Sequence, residues 1–525
     1  MARDVGSKAG GEGAGPAVPG PGMVAASSPH AARAGREVLA AGGNAVDAAI
    51  ATALALTVAD PVNISLFGRC QILGVKDGAA FAIDGASRIP AHVPDGRPGA
   101  VRAGFAAVPV PGLLPALARA HRLHGRIGLA AIVAPARRLA EEGFAIPPAL
   151  GAIWREKGGA LASDPGARAH YLKADGTSYG PGEHFRHPAL ARLLDALSHD
   201  LRALDGLRAE RDALARRIAD AGGFVTGDDL ASDATGEGEI LHGALAGNPV
   251  ITIGRQGWGH SLLQMAAILD AGGFHPDEPG FAEHLALTLL CALADRPQEL
   301  GSLTPKPFGL PLSILCDPDF ARARAALICR QAGEPDIGAR LAAAFGAPEG
   351  RADRDTTHLS VVDGDGNMVA MTSSIGPHFG AGVADPVHGV LFGYSYRMAN
   401  APQPGARDVT EMTPAIVGGV AAPRIAIGGA GSERIPGAVL QVLVGRLMRG
   451  MSLRDAVDAP RCNWLGGALR LHTGHDAWDH FRRRGYAIVE SPRDHRRHLG
   501  IVQAVERDGG HCEGAADPAY DGAAA

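Results

Sequence analysis

This chain offers little support for a disulfide framework, a membrane span or a nucleic-acid partner. Its six cysteines (Cys70, Cys291, Cys316, Cys329, Cys462 and Cys512) are scattered through 525 residues with no CxxC spacing. Reduced, separate thiols are therefore the expectation. No stretch supplies ~18 uninterrupted apolar residues, so no spanning helix is expected. The N-terminal MARDVGSKAGGEGAGPAVPGPG has no apolar run; it reads as a disordered leader over residues 1–21 and not as a secretory signal, which points to the cytoplasm. Fifty Lys and Arg against 55 Asp and Glu give a net charge of −5 and a pI near 6.5. That balance argues against nucleic acid or an anionic membrane. Aromatics make up only 5 % of the chain, so the core must be built from Ala, Leu and Val. HExxH, GxSxG, Walker and GxGxxG patterns are all missing. His472, His475, His480, His495, His498 and His511 cluster near the end without a metal-ligand spacing. No metal and no cofactor is expected.

What the chain does have is length, 73 glycines and 37 prolines, enough for a large core divided by many tight turns. Met23–Ser27 reads as a strand. His30–Ala41 follows as a helix stopped by Gly42-Gly43, and Asn44 opens a nearly apolar helix, Ala45–Val58, which must be buried on most sides. Gly68–Val75 and Ala79–Ile83 look like paired strands. Leu113–His124, Ala130–Gly143, Pro147–Trp154, Ala189–Leu197 and the charged His199–Ala221 read as helices, and Pro249–Ile253 as a strand. Residues from about Gly333 to Asp355 read as a linker. Strands are expected again through Gly389-Val390-Leu391.

The chemistry concentrates after that linker. Leu359, Val361 and Val369, Met371 alternate with smaller or polar neighbours, and Asp363-Gly-Asp-Gly-Asn367 supplies a turn, so Thr356 begins the first arm of a hairpin. A threonine hydroxyl is a weak nucleophile unless a base lies beside it. A chain cut between Asp355 and Thr356 gives Thr356 its own α-amine, which titrates near ~7.7–8.0 and suits proton exchange at neutral pH. The hairpin lays Ser374 on the strand beside the one beginning at Thr356, where a second hydroxyl can orient the first. Gly428-Gly-Ala-Gly431-Ser432 turns into the apolar helix Gly437–Arg449, and N–H groups at such a terminus can hold a developing oxyanion.

TTHLSVVDGDGNMVAMTSSIGPHFGAG, from Thr356, resembles the signature of the gamma-glutamyltransferase family of N-terminal nucleophile (Ntn) hydrolases. The matching positions are Thr356, Thr357, His358, Ser360, Gly366, Asn367, Val369, Ala370, Thr372, Phe379 and Gly380. AGGNAVDAA within residues 41–49, Ala294-Asp295-Arg296 and the closing Ala516-Asp517-Pro518 are similar to family elements as well. The resemblance implies an α+β fold, the four-layer αββα sandwich. It also implies a precursor that cuts itself into a large subunit, 22–355 behind the leader, and a small one, 356–525. Thr356 is then the nucleophile, and the N–H groups near Gly431 and Ser432 form the oxyanion hole. The partners are a small amide substrate and a water or amine acceptor.

The sequence departs from the family where substrate is bound. Ser374 stands in place of the usual Thr, and Gly376 in place of Asn or Glu. Ala86 occupies the position of the family's carboxylate-binding arginine, with Arg88 two residues away. The run that normally holds the substrate ammonium is Gly393-Tyr394-Ser395-Tyr396-Arg397-Met398, in which no carboxylate remains. The paired serines become Thr410-Glu411. Arg88, Ser395, Thr410 and Glu411 are thus the candidate substrate contacts. The first reading is a gamma-glutamyltransferase or glutathione-hydrolase-like enzyme. The alternatives are a related Ntn amidohydrolase acting on another small acyl amide, of the oxamate or glutaryl (cephalosporin acylase) kind, and an uncleaved binding protein.

Overall fold

The computed structural model describes residues 22–94, 103–202, 208–232, 235–296, 311–345, 355–400, 402–465 and 467–525. The expected leader and residues 346–354, just before the hairpin, lie outside that set. Two antiparallel sheets form the centre. The first has seven strands in the order 523–524, 22–26, 355–363, 368–376, 69–76, 79–85 and 236–237. The second has six, in the order 511–516, 501–508, 422–430, 415–419, 248–253 and 240–245.

Period-two alternation decides what each strand buries. Leu359, Val361, Val369 and Met371 face outward into one apolar core shared with the helices Pro29–Ala40 and Ala45–Ala59. Val362, Met368 and Ala370 point the other way, against Ile416, Ala426 and Val505 of the second sheet. That sheet covers its outer face with the helices Gly259–Gly272, Phe281–Asp295 and Ile435–Met448. Helix, sheet, sheet, helix is the four-layer sandwich expected.

The apolar second helix is buried along all of Ala45–Ala59. Asn44 starts it: its side chain accepts from Val46 and Asp47 N–H, and the Asp47 carboxylate accepts from Asn44 N–H, closing a capping box. Asp363, at the hairpin turn, accepts from Ala45 N–H at 2.9 Å. Its negative charge therefore lies at the positive end of the helix and pins helix to hairpin.

Most elements lie within a few residues of their expected bounds, and Leu113–His124 lies on them. The described part of the charged helix is Arg208–Asp220. Two expectations fail. Residues 389–391 form no named strand: Leu391 bridges Ala384 only in isolation, and Gly382 and Gly389, at φ 72° and 70°, turn the chain away from extended geometry. The linker contains a helix, Ile337–Phe345, in which Ile337 is buried in the second core and Gly338 lies against the Gly485–Tyr486 backbone. Among the described residues no helix is long and apolar enough to cross a membrane.

His358 lies between the sheets. It is fully buried, and its ring nitrogens pair with Thr372 Oγ1 at 2.8 Å and Ser360 Oγ at 2.9 Å. Gly428 faces it, and a Cβ there would lie 2.3 Å from His358 Cε1. The ring is held at both ends, so it cannot yield. Gly428→Ala should cost about 1–3 kcal/mol by overpacking, read as a lower urea midpoint; an unchanged midpoint would show that the sheets separate freely at this point.

Burial pushes the His358 pKa down to about 3, so the native ring stays neutral while the unfolded one protonates below ~6.5. The sign follows: above that pH the two states bind protons alike, and native stability is lost as pH falls from there toward 3. The advantage of wild type over His358→Gln should therefore shrink by about 2 kcal/mol between pH 7 and 5. Parallel losses of both proteins in thermal melts would rule out His358 as the titrating group.

Candidate active site

Thr356 stands one residue into the strand Asp355–Asp363 and shares the inter-sheet side with His358 and Ser360. It is 8 % exposed, so a hydroxyl at this position is shielded yet reachable. Gly431 N–H, from the end of the second sheet, donates to Thr356 Oγ1 at 3.1 Å. The two sheets thus bring together, from opposite sides, a threonine hydroxyl and a backbone donor.

The donor turn is held in a conformation the chain does not adopt readily. Gly431 has φ 119° and Ser432, a non-glycine residue, φ 57°. A left-handed residue with a side chain is uncommon and stores strain that the surroundings must offset. Arg434 supplies part of the restraint: its Nε donates to Gly431 O at 2.6 Å and its Nη1 to His498 O at 3.1 Å. A Cβ on residue 431 would lie 2.8 Å from His498 Cε1, so glycine is required there on two counts. The helix Ile435–Met448 follows immediately, its N-terminus behind the turn.

Ser374 is on the adjacent strand, as the hairpin requires, but not in simple register. Ser373 pairs with Thr357 and Gly376 with Asp355, with a bulge between them facing Thr356. Bulges re-aim side chains beside functional sites. Ser374 is 2 % exposed, and its Oγ accepts from Gly376 N–H at 2.9 Å. Thr357, on the other face, exchanges a short hydrogen bond with Ser27 and so serves to tie strands together.

Among the proposed substrate contacts, Ser395 is the one brought closest to the bulge. Tyr394 N–H donates to Ile375 O at 2.7 Å, and Ser395 Oγ donates to Asp408 Oδ1 at 2.7 Å. Arg88 is held away at its head group, where Nη2 bonds Ser232 Oγ, while its backbone pairs with Val110. Thr410 donates through both N–H and Oγ1 to Gln256 O, at 3.0 and 3.2 Å. Glu411 is half-buried and near enough to Asp408 to raise its pKa. Ala86 is buried, with its N–H on Asp84 Oδ1.

Sequence reading missed Arg69 and Asp408. Arg69 pairs with Ser374 across the next ladder; its Nη1 donates to Tyr394 O at 2.9 Å and lies 3.4 Å from Asp408 Oδ2. Burial pushes the Asp408 carboxyl up, while Arg69 and the Ser395 hydroxyl pull it back. The signal for Arg69 was present: a charged residue opening a strand whose interior is mostly apolar. Asp408 carried none, because nothing in its sequence neighbourhood shows that it folds onto Ser395. Of the C-terminal histidines, His472 has its two ring nitrogens 3.1 and 3.2 Å from the Arg461 and Leu499 backbone nitrogens, and His498 accepts from Gly500 N–H. Among the described residues no group of three metal-ligating side chains forms.

Comparison with known proteins places the chain in a family. A family model described as gamma-glutamyltranspeptidase matches residues 31–525. The Acylase ACY 1 proenzyme of Pseudomonas sp. (strain SE83) is 32 % identical over 90 % of this chain and 88 % of its own length. The glutathione hydrolase proenzyme of Bacillus subtilis (strain 168) is 29 % identical over 96 % of this chain and 91 % of its own. The crystal structure of cephalosporin acylase from Bacillus halodurans superposes with a TM-score of 0.84 at 26 % identity, covering 100 % of this chain and 99 % of that one. The four-layer sandwich, the Thr356 strand and the match over nearly the whole chain make this protein a member of the gamma-glutamyltranspeptidase family of Ntn hydrolases, an enzyme of the hydrolase and transferase kind.

Proposed function

We propose that this enzyme is an autoprocessed amidohydrolase of the acylase kind, with Thr356 as nucleophile and an acyl substrate that lacks an α-ammonium group. The observation that carries the reading is the Gly431 N–H on Thr356 Oγ1 at 3.1 Å. In maturation Thr356 Oγ attacks the Asp355 carbonyl, the peptide C–N bond breaks as the ester C–O bond forms, and water hydrolyses the ester. The products are an Asp355 carboxylate and a free Thr356 amine. In turnover that amine takes the hydroxyl proton as Oγ attacks the substrate amide. The N–H groups of Gly431 and Ser432 hold the oxyanion, the proton passes to the leaving amine, and water or an amine then takes the acyl group. The strained turn keeps the donors in place before reaction, so no reorganisation is needed when charge develops. Ser374 orients Thr356 from the bulge.

The substrate preference follows from charge. A γ-glutamyl group carries an ammonium and a carboxylate on one carbon, and each must be compensated if buried. Asp408 is the nearest buried carboxylate to Ser395, but Arg69 and the Ser395 hydroxyl already occupy it. Ala86 offers nothing to the carboxylate. The similarity to a relative named as an acylase supports the same choice. A second reading, γ-glutamyl transfer, draws support from Glu411 near this cluster and from the relative named as a glutathione hydrolase.

Electrophoresis of the purified protein should show fragments of about 36 and about 17 kDa, in proportion to 355 and 170 of the 525 residues of a 53.7 kDa chain. Thr356→Ala should stay whole. Folded wild type that remains one chain on long incubation would overturn self-processing. Ser374→Ala should slow turnover by about 10–100-fold, or roughly 1.4–2.7 kcal/mol, and Ser374→Thr should be tolerated; activity of the alanine variant within twofold of wild type would remove Ser374 from the mechanism.

Glutaryl and γ-glutamyl anilides differ mainly in the amino group, so their ratio of kcat/KM reports the ammonium contact. The glutaryl compound should be the better substrate. A γ-glutamyl advantage above about tenfold, roughly 1.4 kcal/mol, would establish the second reading and point to Glu411 as the ammonium ligand.

A further inference from the structure

A cavity with room for a small molecule lies in the outer helical layer of the second sheet, among the helices Phe281–Asp295, Ile435–Met448 and Leu453–Asp458. It encloses about 260 Å³, well above the ~150 Å³ that takes a benzene ring in an apolar core. Leu285, Val444, Met451 and Ala456 form apolar walls. None of Thr356, Ser374, Gly431, Arg69, Ser395 and Asp408 lines it. Gly445, on its wall, belongs to the helix that follows the Gly431 turn and lies roughly 15 Å along the axis from Ile435. The cavity is therefore separate from the site at Thr356.

Its polar groups are unevenly placed. On the floor they are spent on the protein itself. The buried Arg461 donates to Val457 O at 2.8 Å, to Gly500 O at 2.7 Å and to Asp517. The Gln441 amide donates to the Gly437 and Cys462 carbonyls and accepts from Cys462 N–H. Burial pushes the Cys462 thiol pKa up to about 12, so it stays neutral. Val444 O and Gly445 O, which end the helix here, accept from Arg449 and Met451 N–H.

The mouth differs. Arg449 is exposed, lies over the Phe281 ring with its guanidinium carbon 5.7 Å from the ring centre, and makes no ion pair among the described residues. His475 Nδ1 accepts from Ala477 N–H at 3.1 Å, so a neutral ring carries its proton on Nε2. Burial holds that ring below the ordinary histidine pKa. The one carboxylate on the lining is Asp476, 3.4 Å from His475 Nδ1 but with its side chain 83 % exposed. A cation and an N–H donor at the mouth of an apolar pit suit a ligand with an apolar body and an anionic head. A phosphate dianion suits it less, because one guanidinium and a neutral imidazole do not compensate two charges.

We infer that this cavity is a second ligand site, taking a small apolar monocarboxylate with its body against Leu285, Val444 and Ala456 and its carboxylate toward Arg449 and His475. The inference does not rest on Thr356 chemistry, since no residue of that site takes part. Phenylacetate, 2-phenylethanol and 2-phenylethylamine share a ring and a two-carbon arm and differ in the charge of the head. In NMR titrations of the methyl-labelled enzyme, phenylacetate should shift the methyl signals of Leu285, Val444 and Met451. It should bind about threefold more tightly than the alcohol, the size of an exposed ion pair, with the amine weakest. Arg449→Gln should remove the preference for acid over alcohol, while Asp476→Asn should tighten the acid by about twofold. Both side chains are at the surface, so both variants should melt with wild type and cleave a glutaryl anilide at wild-type rates. Shifts confined to residues around Thr356, equal affinity for acid and alcohol, or a preference unchanged in Arg449→Gln would each overturn the inference. An enzyme inactive on every anilide that still shows the Arg449-dependent preference would refute the amidohydrolase reading and leave this site standing.

Discussion

The contact between Gly431 N–H and Thr356 Oγ1 joins two parts of the chain that no local rule brings together. One end belongs to the first sheet and the other to the second. Its geometry is therefore only as good as the packing of the sheets on each other. Val362, Met368 and Ala370 against Ala426 and Val505 set the spacing. His358, seated over Gly428, fixes the lateral position. Protein interiors pack at crystal-like density and transmit small displacements, so core residues a few positions from Thr356 act on the donor distance as well as the turn itself.

The polar groups around His358 between the sheets are matched to one another. His358 is kept neutral by burial and spends both nitrogens on hydroxyls. Ser360, one of those hydroxyls, reaches Gln503 O in the other sheet. An ionised group at this depth would need a charged partner. Arg69 and Asp408 form such a pair near Ser395, and breaking a buried pair by removing one member leaves an uncompensated charge that costs more than the pair contributes. The Arg69 and Asp408 charges near Ser395 are therefore already spent on each other and on the Ser395 hydroxyl.

Strain and restraint are divided along the same lines. The positive φ values at Gly431 and Ser432 are stabilised by Arg434 from within the turn and by His498 from the strand-bearing C-terminal region. The bulge opposite Thr356 displaces Ser374 and Ile375 from flat pairing. Both irregularities adjoin Thr356, while the ladder from Ala25 through Ser360, Ala370 and Leu73 to Ala82 runs in register. Regular pairing on either side holds both of these irregularities in place.

Periodicity and local chemistry were enough to read the hairpin at Thr356, the buried helix after Asn44, the Gly-rich turn before the helix at Ile435 and most helix bounds. Each of those is specified by neighbours within a few residues: alternation, capping groups and turn residues. The Thr356 motif also made the family legible, because its threonine, strand and turn are contiguous. The helix at Ile337–Phe345 and the non-strand at 389–391 were not legible, since burial of Ile337 against a distant core and the bend at Gly382 and Gly389 depend on tertiary partners. The bulge at Ser374 was hidden for the same reason. Arg88, Thr410 and Glu411 could be named from sequence, but only the folded chain shows that Arg88 turns to Ser232 and Thr410 to Gln256 while Arg69 and Asp408 meet at Ser395. Sequence alone placed Thr356 at the start of a hairpin, because local patterns encode it, and its resemblance to a family carried the layers; tertiary structure decided which charges meet around Ser395, because those charges are hundreds of residues apart and only packing sets their distances.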